Sequence, residues 1–104
     1  MIRHIVMWKL KEQAEGATKK RNAEKLKLIL EGLRIKIDEI KDVQVGIQLD
    51  ESDNPESMDV VLICDFETEL DFKMYTMNSN HKKAIDFIET VAEKRLFVDY
   101  KVDV

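Results

Sequence analysis

Two hydrophobic periods alternate along the chain. Ile2, His4, Val6, Trp8 and Leu10 lie two residues apart, with Arg3, Ile5, Met7 and Lys9 between them, which is the spacing of the two faces of a strand. Gly16 closes a polar connection. From Ala17 to Ile37 the period lengthens, and Leu26, Leu30, Leu33 and Ile37 stack on one side of a helix whose remaining positions are Lys, Arg and Glu. Gly32 inside that helix costs about 1 kcal/mol and reads as a close packing point. Val43, Val45, Ile47 and Leu49 return to the strand period. DESDNPES then reads as an acidic turn, and Met58 to Phe66 as a buried strand paired to the preceding one.

Thr68 with Asp71 three residues on predicts a helix N-terminus, followed by Leu70, Phe72, Met74 and Tyr75. Asn78-Ser79-Asn80 interrupts the helix and supplies a new cap. Ala84, Ile85, Ile88, Val91 and Ala92 form a second helical stripe, and RLFVDYKVDV alternates as a final strand. The order β-α-β-β-α-β predicts an α+β ferredoxin-like fold, an antiparallel sheet with its helices on one face, filling a single domain over residues 1–104.

Helices on one side leave the other side of the sheet to be accounted for. His4, Val6, Trp8, Leu62, Cys64, Val98 and Tyr100 are assigned to the helix side. Ile5, Met7, Val61, Ile63 and Phe97 are left on the other, too apolar for a solvated face. Covering five such side chains is worth on the order of 10 kcal/mol before entropy costs. A self-complementary patch of this kind predicts a homodimer packed sheet on sheet about a two-fold axis.

Composition narrows the function. The 104 residues are 44% hydrophobic and 37% charged, with net charge −4. The densest basic run, Lys19-Lys20-Arg21 with Lys25 and Lys27, is diluted by Glu24 and Glu31. It reads as a solvated helix face and not as a nucleic-acid site. The single cysteine, Cys64, sits in the apolar run VVLIC and reads as an inert buried thiol. No stretch reaches the roughly 18 apolar residues of a membrane span, and MIRHIVMWKLK carries charge within its alternation, unlike a signal segment. These readings point to the cytoplasm.

Chemistry-bearing residues are few. The two histidines are His4, on the first strand, and His81, at the start of a helix, where the positive end of the helix dipole disfavours imidazolium. Tyr75 precedes His81 by six residues, and the two form a minimal acid/base pair. Asp50, Glu51, Asp53 and Glu56 lack the central Gly and closing Glu of a calcium loop, so no metal is expected. GxGxxG, P-loop, HExxH and GxSxG patterns are absent from the sequence, and no cofactor is expected.

HIVMWKLK, KDVQVGIQ, MDVVLICDFET, YTMNSNH and FVDYKV together resemble the stress-responsive A/B barrel (Dabb) domains of the dimeric α+β barrel superfamily, in the family's order and over nearly the whole chain. The resemblance implies a ferredoxin-like unit that dimerises through its sheet. A plant polyketide cyclase of the family places a Tyr and a His at the positions of Tyr75 and His81, so the resemblance implies His81 as a base and Tyr75 as the group that polarises a carbonyl. It also implies that His4, Val6 and Trp8 line a pocket. The family's usual Tyr-x-x-His-Pro-x-His becomes Tyr75-Thr76-Met77-Asn78-Ser79-Asn80-His81, with Asn78 and Ser79 in place of the first His and the Pro. Three readings stand side by side. One is a small dimeric domain of uncertain activity that binds a small apolar ligand between helices and sheet. Another is a cofactor-free lyase or polyketide-cyclase-like enzyme using His81 and Tyr75. The third is a monooxygenase of the dimeric α+β barrel type using Trp8, Asn78 and His81.

Overall fold

The computed structural model describes residues 1–49 and 54–103. The elements are β1 (Ile2–Leu10), β2 (Gln13–Ala14), β3 (Ala17–Thr18), α1 (Lys19–Lys36), β4 (Asp42–Ile47), β5 (Val60–Phe66), α2 (Glu69–Met77), α3 (Ser79–Val91) and β6 (Ala92–Lys101). Strands β4-β5-β1-β6 form one sheet in that order, with all neighbours antiparallel. The first strand thus sits inside, between the strand that follows α1 and β4 and the strand that follows α3. That is the ferredoxin-like order expected from the element sequence. Of the acidic turn, Asp50, Glu51, Ser52 and Asp53 lie outside the described residues, so a metal reading of that loop falls there too. No group of potential metal ligands occurs among the described residues. No helix among them is long and apolar enough to cross a membrane.

Local chemistry explains most boundaries. Thr18 Oγ1 accepts from the Arg21 amide, and Thr68 Oγ1 from the Asp71 amide, capping α1 and α2. Asn78 has extended backbone (φ −71°, ψ 136°), and its Oδ1 accepts from the Asn80 amide at 2.8 Å, so it ends α2 and caps α3. The polar connection after β1 contains a small hairpin. Glu15 (φ 52°) and Gly16 (φ 72°) supply the two left-handed residues of its turn. Asn22, buried in α1, donates to the Ala14 carbonyl at 3.0 Å and ties the hairpin down. Gly32 is not a packing point: a Cβ built there meets nothing within 4 Å.

The core lies between the sheet and the helices, built from Val6, Trp8, Leu26, Leu30, Leu33, Ile37, Leu62, Phe66 and Val91. The parity of β6 departs from expectation. Val6 pairs with Phe97 and Ile5 with Val98, so Phe97 faces the helix side, while Leu96, Val98 and Tyr100 share the outer side with Ile5 and Met7. Alternation assigns the apolar set Leu96, Val98 and Tyr100 to the helices, but one step of register exchanges the faces, and the pairing with β1 turns that set outward and Arg95, Phe97 and Asp99 inward. The strand also begins earlier than its alternation suggests, at Ala92, with no residue between it and α3, and it passes a register shift opposite Lys9 and Leu10. The outer face is therefore Ile5, Met7, Val61, Ile63, Leu96 and Val98. One end of it is closed by the two-pronged Arg3–Asp65 ion pair (2.8 and 3.1 Å) beside Tyr100.

Candidate functional site

A cavity of about 400 Å³ lies between the sheet and the helices. His4, Val6 and Trp8 enter it from β1, Leu62 from β5, Leu30 from α1 and Tyr75 from α2. His81, Ala84, Ile85, Ile88 and Glu89 enter from α3 and Arg95 from β6. All five residues singled out in the sequence, His4, Val6, Trp8, Tyr75 and His81, are thus lining residues of one space. Most of the remaining lining is aliphatic, so polar character is confined to a few groups.

The break at Asn78 brings Tyr75 and His81 together. Six residues apart on an unbroken helix, they would point about 120° away from each other. With the axis reset between α2 and α3, their rings lie 4.3 Å apart, centroid to centroid, at 45°. Phe66 (5.0 Å from Tyr75) and Phe72 (5.0 Å from His4) extend the aromatic cluster around Tyr75 and His4. Tyr75 is fully buried, and that burial pushes its hydroxyl pKa upward. The nearby Cys64 thiol adds to the effect and the Arg95 charge opposes it, so the phenol stays protonated and remains a donor. His81 is shifted the other way. Burial lowers its pKa, the adjacent Thr76 backbone opposes this, and the charges of His4 and Arg95 lower it further, so the neutral imidazole is favoured. Burial, and not the helix terminus alone, is the main cause.

Two polar atoms of this wall, Trp8 Nε1 and His81 Nδ1, are buried without a hydrogen-bond partner. His4, by contrast, is held. Its Nδ1 lies 2.5 Å from Asp99 Oδ1, with the ring almost fully buried (6% exposed). With Asp99 as a carboxylate, Nδ1 is the protonated nitrogen and donates to it. Asp99 also lines a second, outward groove of about 540 Å³ with Phe72, Lys73, Thr76 and Lys101, so the His4–Asp99 pair stands between the two spaces. Asp99 escaped the sequence reading because an acid in an alternating strand looks like a solvent-facing residue, and its partner is 95 positions away. Arg95 escaped for the same reason. Asn78 does not line the cavity. Cys64 is buried, with its thiol pushed up to about 12 by burial first and by the charges of Asp65 and Asp42 second, which agrees with an inert role.

Similarity to known proteins places the fold. The fold is similar to a dimeric ferredoxin-like protein of unknown function from Bacteroides fragilis NCTC 9343, 26% identical, covering 97% of this chain and 95% of that one with a TM-score of 0.78. It is similar to a dimeric ferredoxin-like protein of unknown function from Thermobifida fusca YX, 23% identical over 97% and 90% of the two chains, TM-score 0.79. It is also similar to the hydroxynitrile lyase from Passiflora edulis, 19% identical over 98% and 93%, TM-score 0.79. The last two likenesses show the fold alone. No curated protein matches the chain significantly. The family model for the stress responsive A/B barrel domain matches residues 2–102, and the chain belongs to that family.

Proposed function

We propose that this protein is a cytoplasmic homodimer, packed through its outer sheet face, that binds a small and mainly apolar ligand in the cavity between helices and sheet. The observation that carries the ligand reading is the pair of buried, unpartnered atoms, Trp8 Nε1 and His81 Nδ1, in an otherwise apolar wall. Leaving such a group unpaired costs about 1–3 kcal/mol, a cost that a ligand with a carbonyl or hydroxyl group removes. The dimer reading draws on the exposed apolar outer face and on the dimeric state of the Bacteroides and Thermobifida proteins. The single Trp makes the test direct, because the protein gives one indole N–H resonance. Titration with a panel of aryl ketones, quinones and aromatic polyketides is expected to move that resonance together with the ring resonances of His81. No movement of either up to millimolar concentration refutes the reading.

The contact between Tyr75 and His81 favours a second reading, a cofactor-free lyase or cyclase. Neutral His81 takes the proton from the carbon beside a bound carbonyl, the electron pair moves to the carbonyl oxygen, and the Tyr75 hydroxyl donates to the resulting enolate. Exchange of that carbon-bound proton with deuterated solvent, followed by NMR on a bound aryl ketone, reads the step without knowledge of the natural substrate. His81→Ala is expected to abolish the exchange, and an unchanged rate eliminates the base. The monooxygenase reading keeps Trp8 and His81 in the cavity but loses Asn78, which does not line it and spends its side chain on the α3 cap.

A further inference from the structure

Two residues of the cavity wall carry full charge, Arg95 from β6 and Glu89 from α3. Arg95 has no ion-pair partner among the described residues, and no ion pair joins it to Glu89. It is nevertheless held in place. Its guanidinium carbon lies 4.4 Å from the centroid of Phe97, two residues along on the same helix-facing side of the strand. Stacking occupies the flat face of the guanidinium and leaves its N–H edge available, and that edge matches a carboxylate in a two-pronged pair.

We infer that the cavity selects small carboxylate-bearing amphiphiles, the apolar body lying among Val6, Leu62 and Ile88 and the carboxylate on Arg95. The inference rests on the cavity being a ligand site and adds the class of ligand. The field of Arg95 reaches the polar pole of the cavity, since its charge opposes protonation of His81 and favours ionisation of Tyr75. An anion placed on Arg95 therefore stands near both groups. Glu89 works against a second negative charge, which restricts the class to monoanions.

The test compares 4-phenylbutanoate with 4-phenylbutanamide, which share a body and differ in charge. The carboxylate is expected to bind roughly fivefold more tightly at low salt, an advantage that shrinks as salt is added. Arg95→Gln removes the advantage, Arg95→Lys keeps part of it, and Glu89→Gln enlarges it. Bound carboxylate, but not bound amide, is expected to raise the titration midpoint of His81 followed by NMR. Equal affinity for the two probes, or an advantage that survives Arg95→Gln, overturns the inference while leaving the cavity a ligand site. If neither probe binds, the cavity reading and the inference fall together.

Discussion

The two faces of the four-stranded sheet are built from neighbouring residues and behave differently. Leu62 faces the helices and is 2% exposed, whereas Ile63, the next residue on β5, is only partly covered. On β1, Val6 is buried and Met7 is exposed. The inner face satisfies itself within the chain, but with a void and two unpaired polar atoms in it. The outer face has an apolar centre, with the Arg3–Asp65 ion pair at one end, Lys9 and Lys94 at the other and Gln44 along its β4 edge, and that centre is left uncovered within one chain. The comparison teaches that apolar character alone does not say where a residue's stabilisation is collected. For Leu62 it is collected on folding, for Ile63, in the proposed dimer, on association. Strand β6 marks the limit of the inner face. From Glu93 to Lys101 every residue is exposed, including Phe97 and Asp99 on the helix side, because the helices end short of it.

Charge inserted on the outer face is the most severe test of this contrast. The double change Ile5→Asp and Ile63→Asp is expected to reduce the solution mass by light scattering from twice 12.2 kDa to 12.2 kDa while leaving the far-UV spectrum unchanged. A mass that stays dimeric moves the interface elsewhere. On the inner face, Leu62→Ala is expected to cost about 2–5 kcal/mol of unfolding free energy in urea at any protein concentration. Ile63→Ala is expected to act mainly through a midpoint that depends on concentration. Equal behaviour of the two variants erases the distinction between the faces.

Protons sharpen the contrast further. Burial lowers the pKa of His81 from its ordinary value of 6.5, so the unfolded chain holds its proton more readily than the folded one. The stability associated with His81 is complete above that ordinary value and declines as pH falls through it toward the lower folded value. Urea midpoints compared between about pH 8 and pH 5 are expected to fall, and His81→Gln is expected to reduce the fall. The smallest effect belongs to the helix layer covering the inner face. Gly32→Ala is expected to raise stability by roughly 0.5–1 kcal/mol, since a Cβ there enters open space and the helix gains propensity.

Much of this architecture was legible because its signals are local. The caps at Thr68 and Asn78 bond to amides two or three residues away. The Leu26–Leu30–Leu33–Ile37 stripe needs only the period of one helix. Alternation puts His4, Val6 and Trp8 on one face, whereas Tyr75 and His81 stand out by residue type and by the family resemblance, and only the break at Asn78 in the structure explains why they meet. What failed was non-local. The facing of Phe97 against Val98 depends on how β6 registers with β1 some ninety residues earlier, and the more apolar set of β6 is the one that faces away from the helices. The Glu15-Gly16 hairpin has strands of two residues, too short to show any period. Asp99 and Arg95 acquire their meaning only from side chains on other elements, and neither residue type is unusual at a strand edge.

The direct passage from Val91 into Ala92 joins the last helix to the last strand without slack. Ile88 and Glu89 on one side of the joint and Arg95 on the other belong to the same cavity wall, and the Lys11 amide clasps the Val91 carbonyl at 2.9 Å. A helix tied so tightly to its strand keeps Ile88, Glu89 and Arg95 in a fixed relation, so this side of the cavity wall is braced by the backbone itself and not only by side-chain packing.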